Sequence, residues 1–471
     1  MNFVIFVNGI VILFSAVLMG IDALVFPETS DVFGLSFVLA GTLGTFLTIA
    51  ASSSFAGLHR IHTFVLTSSV WLTAAVIGAL PLYLGSLSPV DALFEAMSGI
   101  TTTGSTVMSN LDKTPHGILM WRAILQAIGG VGFIVTGMAL LPVLRVGGMQ
   151  LFRTESSDQG EKELRNAARF ASATLAIYLG MMGLCAITYM LGGMGIFDAI
   201  THAMTTLSTG GYSNYDASFG HFDGAFLQWA GTGFMLVGAL PFAWYIRAYT
   251  RGVFRSEQVT AMLWSLGIVI TLMTLWMTET SSVPPFVALR LVAFNVVSVV
   301  TTTGFATDDF SQWGSVAVVA FFILTAVGGC TGSTAGGAKA MRWIIFARSA
   351  VARIRQIHNP HGIFVTRYEG RTVGDDVLNG VISFFIFYFA TVVVLSAALG
   401  LAGVDFSTAI SGALTSVANV GPGVGGIIGP AGNFAPLSDL AKGILAFGMF
   451  VGRLEMVTVF VLLTPAFWRE I

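Results

Sequence analysis

Long uncharged apolar runs alternate with short polar breaks from one end of the chain to the other. A bilayer-crossing helix needs about 20 predominantly apolar residues. Full-length runs of that kind lie near 3–25, 34–57, 64–85, 118–144, 168–191, 222–247, 259–278, 315–350, 376–400 and 437–466. Between some of them are shorter apolar stretches at 91–103, 197–209, 290–303 and 405–417, too short to cross and suited to re-entrant segments. The pattern predicts an all-α polytopic membrane protein with ten spans. The first run, MNFVIFVNGIVILF, has no Lys or Arg before it and no small-residue cleavage site after it, so it reads as a span and not a cleaved signal peptide.

Composition sharpens this picture. Of 471 residues 55% are hydrophobic and only 10% charged, against roughly 25% charged in an ordinary globular chain. Too few charges remain to coat a soluble surface, and soluble enzyme classes are excluded. A net charge of −2 offers no basic field for nucleic acid. The two cysteines, Cys185 and Cys330, cannot build a disulfide framework and have no metal-ligand spacing. The 55 glycines are an excess that suits close helix packing and irregular backbone lining a cavity.

Loop charge sets the orientation. Arg60, Arg145, Arg153, Lys162, Arg165, Arg169, Arg247, Arg251, Arg255, Arg342, Arg348, Arg353, Arg355, Arg367, Arg371 and Arg469 follow the even-numbered runs, which places those junctions in the cytoplasm. The opposite junctions carry acids, among them Glu28, Asp91, Asp198, Asp308 and Asp405. Both termini are then cytoplasmic, and all four short stretches fall on the same outer side.

Those stretches repeat. Asp91-Ala-Leu-Phe-Glu-Ala-Met leads to Thr101-Thr102-Thr103-Gly104-Ser105, and Asp198-Ala-Ile-Thr-His-Ala-Met leads without a gap to Ser208-Thr209-Gly210-Gly211-Tyr212. Arg290-Leu-Val-Ala-Phe-Asn leads to Thr301-Thr302-Thr303-Gly304-Phe305, and a more divergent Asp405-Phe-Ser-Thr-Ala-Ile leads to Ala418-Asn419-Val420-Gly421-Pro422. Each unit reads as span, short helix, polar Gly turn, span. A helix entering partway from outside points its negative dipole end inward, and a Gly after it allows positive φ. Four such loops about an axis can present rings of carbonyl oxygens in place of a cation's hydration shell.

With FEAMSGITTTGST, TTLSTGGYSNYDASFG, VVSVVTTTGFATDDFSQWG, VANVGPGVGG and FGMFVGRLEMVTVF on view, nearly the whole chain resembles the Trk/Ktr/HKT superfamily of potassium transporters, in particular its TrkH-like bacterial branch. The leading pair of spans favours that form over a shorter KtrB-like one. The resemblance implies four membrane–pore-helix–membrane repeats in pseudo-fourfold arrangement plus two extra N-terminal helices. The units would be 1–60 for the extra pair, then 61–150, 165–256, 257–355 and 372–471. It implies a K+-selective filter made of Thr102, Thr103 and Gly104; Thr209, Gly210 and Gly211; Thr302, Thr303 and Gly304; and Asn419, Val420 and Gly421. The register of the second loop is open by one residue, with the ungapped match favouring Gly211. The fourth loop lacks the Thr pair and would rely on backbone oxygens. In related plant proteins Ser at the first filter Gly goes with Na+ preference, so Gly104 favours K+.

The eighth run is interrupted by Val327-Gly-Gly-Cys-Thr-Gly-Ser-Thr-Ala-Gly-Gly-Ala-Lys339, where each mid-helix Gly costs roughly 1 kcal/mol relative to Ala. By resemblance this is an intramembrane gate loop, with Gly328, Gly329, Gly332, Gly336, Gly337 and Lys339, and Arg453 of the last run would obstruct the pore beside it. The alternative for Arg453 is a structural pairing with Glu455 or a carbonyl. Gly332 to Gly337 has a P-loop's glycine spacing, but Ala338 stands where the Lys belongs and no strand precedes it. Glu95, His202 and Asn295 hold equivalent places in three short helices and are expected to brace the loops by hydrogen bonds. The resemblance further implies a cytoplasmic-membrane location, a TrkA-like cytosolic nucleotide-binding ring and a homodimer. The rival reading is a symporter coupled to H+ or Na+, which needs an intramembrane carboxylate, with Asp22, Glu95 and Glu455 as candidates. The acid pairs Asp308–Asp309 and Asp375–Asp376 lack the His or Glu partners that metal chemistry would need.

Overall fold

A computed structural model of the chain describes residues 2–52, 60–139, 161–281 and 283–469. Arg145, Arg153 and the rest of residues 140–160 lie outside the described residues. The architecture is helical and multi-pass. Two long apolar helices, Asn2–Val25 and Ser30–Ala50, form an antiparallel pair joined through Pro27–Thr29. Their backbones meet at glycine: a Cβ on Gly44 would sit 3.0 Å from the Leu13 nitrogen and 3.1 Å from the Gly9 oxygen. This is the close approach that small residues permit between membrane helices.

The pseudo-fourfold body follows. Its spans Arg60–Leu84, Glu161–Leu191, Glu257–Thr280 and Asp375–Leu401 each lead into a short helix: Pro89–Ile100, Ile196–Leu207, Pro285–Val300 and Phe406–Ala418. Each short helix is followed by an extended loop and a second span. The third short helix begins at Pro285, five residues before the apolar stretch read from the sequence, because Pro fits a first helical turn.

Among the described residues six helices are long and apolar enough to cross a membrane, fewer than the ten runs predict. Three of the four missing runs are second spans that are broken; the fourth, at 118–144, is a single helix, His116–Ala139, over its described residues. The run at 222–247 is two helices, Ala225–Ala239 and Phe242–Arg251, bent by 88°. Pro241 disfavours helix at Leu240, which is extended with ψ of 152°. The run at 315–350 is Ser315–Thr325, an irregular stretch, then Ala340–His358. The run at 437–466 is Asp439–Arg453, then Val457–Leu462 and Pro465–Arg469, interrupted where Glu455 takes φ of 58°. Hydropathy counts apolar residues and is blind to such breaks. Between the helices Ala340–His358 and Asp375–Leu401 a two-residue hairpin pairs β1 (Arg367–Tyr368) with β2 (Arg371–Thr372). Its turn residues Glu369 and Gly370 both have positive φ, as a tight hairpin requires.

Candidate functional site

The four short helices end in one way. Thr102, Thr209, Thr302 and Asn419 have φ of 53°, 52°, 58° and 55°. In the first, the Thr102 N–H donates to the Gly99 carbonyl at 3.0 Å and the Thr103 N–H to that of Ser98 at 2.8 Å. This pair of bonds closes a helix on a left-handed residue. The same pair recurs from Thr209 and Gly210 to Thr206 and Thr205, from Thr302 and Thr303 to Val299 and Ser298, and from Asn419 and Val420 to Ser416 and Thr415. A β-branched Thr in this conformation is strained by on the order of 1–3 kcal/mol, whereas Asn visits it readily. The divergent fourth loop thus keeps the backbone pattern with a residue that suits it better.

Two residues on, Gly104, Gly211, Gly304 and Gly421 take φ of 84°, 72°, 83° and 110°. The torsions align Gly211, and not Gly210, with Gly104. A Cβ on Gly104 would collide with the Gly210 carbonyl oxygen, one on Gly211 with that of Thr303, and one on Gly304 with that of Val420. One on Gly421 would lie 2.8 Å from the Thr103 oxygen. Each loop touches the next and the fourth returns to the first, so the loops close a ring. The glycines are required twice, by φ and by this approach. All four line a cavity of about 300 Å³ on one face of the ring, together with Ser105, Asp216 and Asn433.

The second loop has Gly210 where the first and third have Thr, and the cause is Gln126 of the preceding span. Its amide Nε2 donates to the Gly210 carbonyl at 2.6 Å and its Oε1 accepts from the Tyr212 N–H at 3.0 Å. A Cβ on Gly210 would fall on the Gln126 side chain.

Glu95, His202 and Asn295 each bond to the extended loop beyond the glycine of their own repeat. Glu95 accepts from Thr106 Oγ1 at 3.0 Å and from the Val107 N–H at 2.9 Å. His202 Nε2 is 3.0 Å from Ser213 Oγ, and Asn295 Nδ2 donates to Thr307 Oγ1 at 2.9 Å. The equivalent place in the fourth repeat is Gly412, and there Ser411 Oγ donates to the Val424 carbonyl at 3.2 Å. Arg122 escaped the sequence reading although a charge inside an apolar run is a visible signal. It is 1% exposed, donates to Glu95 at 2.8 Å and to the Ser213 carbonyl at 2.9 Å, and lies 4.1 Å from the Tyr212 ring centroid. It ties the first loop to the second. Above the ring, Asp216 accepts from the Asn110 and Leu111 N–H groups. Tyr215 stacks on His221 and donates to Asp198 at 2.9 Å. Burial and that bond push its phenol up to about 12, so it stays a donor at neutral pH.

On the opposite face, residues 326–339 run directly against the ring. Thr334 Oγ1 donates to the carbonyls of Leu207 and Gly238 at 3.1 and 2.9 Å, and Thr209 Oγ1 reaches Thr334 Oγ1 at 3.2 Å. The Gly336 N–H donates to Thr302 Oγ1 at 2.6 Å, and the Gly337 N–H to the Ala418 carbonyl at 2.8 Å. The stretch therefore touches the ends of the second, third and fourth short helices. It also satisfies the break in the bent span: the Phe242 N–H donates to the Gly332 carbonyl, and the Cys330 N–H to that of Ala239. Gly328 and Gly337 pack backbone against backbone at the neck of the loop, and Gly329 lies against Ala335 and Ala239. Lys339 is buried and donates to the Ala335 carbonyl.

Arg453, 2% exposed, completes the underside. It donates to the Thr334 carbonyl at 3.0 Å and to the Gly129 carbonyl of the first repeat at 3.1 Å. Of its two expected pairings the carbonyl one is found, while Glu455 pairs with Arg342 at 2.7 Å. The acids at Asp308 and Asp309 serve turns, accepting from Trp313 Nε1 and the Ser311 N–H. The arrangement offers a closed ring of four loops, each glycine against a backbone oxygen of another loop, covered on one face by one loop and one guanidinium.

A sequence model of the TrkH family, described as a cation transport protein, matches residues 32–469. The Trk system potassium uptake protein TrkI of Halomonas elongata is 48% identical over 97% of this chain and 94% of its own length. The Trk system potassium uptake protein TrkH of Escherichia coli is 33% identical over 98% of both. The crystal structure of the potassium transporter TrkH from Vibrio parahaemolyticus superposes with a TM-score of 0.92 at 30% identity, covering 99% of each chain.

Proposed function

Because the chain belongs to the TrkH family of cation transport proteins, we propose that it takes up K+ through the ring of four loops as a channel-like pathway, closed from within by residues 326–339 and Arg453. The observation that carries this reading is the cyclic contact of Gly104, Gly211, Gly304 and Gly421 with the carbonyl of the next loop. Carbonyl oxygens held in such a ring can replace the hydration shell of K+. The negative ends of four helix dipoles converge on the same axis and favour a cation there. Thr102, Thr103, Thr209, Gly210, Thr302, Thr303, Asn419 and Val420 supply the backbone of the filter.

Below it, the Arg453 guanidinium raises the barrier to a cation and pins the loop to the first repeat, so conduction requires the loop to move. The cytoplasmic face, with Arg348 and the β1–β2 hairpin, is suited to a cytosolic nucleotide-binding ring that works the loop. The protein acts as a homodimer with a pore in each protomer and both termini in the cytoplasm. Coupled symport is the weaker reading. Glu95 is held by Arg122 and Glu455 by Arg342, while Asp22 belongs to the extra helix pair outside the ring.

The test is Rb+ uptake into proteoliposomes of the purified chain, alone and with the cytosolic ring, challenged by excess K+ or Na+. Uptake blocked by K+ and hardly by Na+, with that discrimination eroded in Gly104→Ser, is expected. Uptake indifferent to Gly104→Ser would falsify the filter assignment.

A further inference from the structure

A cavity of about 750 Å³ opens beside the neck of the loop. Ala326, Val327, Gly328 and Ala340 form its inner wall, so it touches both places where the chain enters and leaves the irregular stretch. The span Glu257–Thr280 contributes Ser265, and the span of the fourth repeat contributes Val393. The volume lies within the range of about 300–1,000 Å³ typical of small-molecule sites.

The walls decide what fills it. Ser265 Oγ already donates to the Met262 carbonyl at 2.9 Å, and Trp343 Nε1 to the Val327 carbonyl at 3.1 Å. The remaining lining is apolar, so a water would lack the two to four polar partners it needs. Ile323 and Val393 in its lining are 60% and 66% exposed on the single chain, and in a membrane-spanning chain such residues face hydrocarbon. Ser265 is eight residues into its span from Glu257, or about 12 Å along the axis, which is acyl-chain depth.

The loop itself has little freedom on its other sides. Toward the ring it is bonded to Leu207, Thr302 and Ala418, and beneath it to Arg453. The space next to its neck is the unfilled side.

The geometry points to a regulatory binding site for an acyl chain of a bilayer lipid, entered laterally between the third and fourth repeats, whose occupant blocks retraction of the loop. This rests on the gate reading above. A ligand that favours the closed over the open arrangement shifts the equilibrium by its differential affinity, and coupling of this kind typically amounts to about 5–150-fold.

The experiment uses the full chain in liposomes containing a phosphatidylglycerol with a diazirine in its acyl chain, read by peptide mapping of the photo-adducts and by Rb+ uptake in the same vesicles. Adducts on Met262, Ser265 or Trp343 are expected. Ser265→Trp, which fills the cavity, should lose them and lower uptake about fivefold or more by holding the loop shut, with Ala261→Phe as a second filling variant. Leu272→Trp, on the lipid face of the same span, should match the wild type in both readouts. Absence of adducts in the wild type, or full uptake in both filling variants, overturns the proposal. Shortening the loop across 332–336 separates the two readings. If that raises uptake and also rescues Ser265→Trp, both stand. If it raises uptake without rescuing the variant, the gate reading stands and the lipid site falls. If it leaves uptake unchanged, the gate reading fails and the proposal with it.

Discussion

The two faces of this ring of loops obey different rules. Outside, four loops of different sequence converge on one backbone: Thr102, Thr209, Thr302 and Asn419 share a left-handed φ within a few degrees, and each following glycine meets its neighbour's carbonyl. Inside, nothing repeats. One loop, from the third repeat, and one arginine, from the fourth, lie under all four. A coordination ring needs equivalent oxygens on every side, so the fourfold constraint falls on backbone geometry. On the proposed reading, a plug needs only to be present and to be movable, and one copy suffices. The break positions of the second spans follow the same division, since the bent helix end at Gly238 and Ala239 gives its carbonyls to that single loop.

The largest effect expected from breaking this contrast is in the ring. Gly211→Ala puts a Cβ at φ of 72° and against the Thr303 oxygen. A strain near 3 kcal/mol corresponds to about 100-fold, so Rb+ uptake should fall by about that factor. Gly210 fails for a different reason, the Gln126 side chain. Gly210→Thr alone should lower uptake, and Gly210→Thr with Gln126→Ala should recover most of it by restoring the Thr-Thr-Gly pattern of the first and third loops. Equal damage in the single and double variants would show that the glycine answers to something other than Gln126.

The sequence carried the ring more fully than the underside for a physical reason. A repeated backbone constraint leaves repeated residues, and Gly104, Gly211, Gly304 and Gly421 at about one-hundred-residue spacing expose it. The Thr-rich steps before them mark helix ends without saying that they are left-handed. Gln126 and Arg122 act across repeats, and no local pattern links Gln126 to Gly210 or Arg122 to Ser213. The glycines of 327–339 announce irregular backbone, whereas the 88° bend at Pro241 and the turn at Glu455 sit in runs apolar enough to pass as continuous helix.

A middle-sized effect belongs to the inner half. Arg453→Ala removes the charge under the ring and the bonds to Thr334 and Gly129. Charge-assisted hydrogen bonds are worth about 1.5–3 kcal/mol, so uptake without the cytosolic ring should rise about tenfold. The discrimination between K+ and Na+ should stay as it is, since no filter backbone is touched. A rise in uptake accompanied by loss of discrimination would join the two halves into one device and undo the contrast.

The smallest effect tests how far the outer symmetry extends. At their inner ends the four short helices are alike, but at their outer ends they are not. Ser88 and Asp405 cap the first and fourth with side-chain oxygens, while Gly195 and Pro284 start the second and third with none. Hydrogen bonds from Thr408 hold the Asp405 carboxyl below its ordinary value. Its contribution is therefore present at neutral pH and is lost as pH falls through that lowered value. Asp405→Ala should cost about 1 kcal/mol in thermal stability at pH 7 and progressively less in acid, while Asp405→Asn, which also caps, should cost less. Uptake and selectivity should be unchanged at neutral pH. A cap substitution that altered selectivity would mean that the constraint reaches the whole length of the short helix, and not only the left-handed turn and glycine at its inner end.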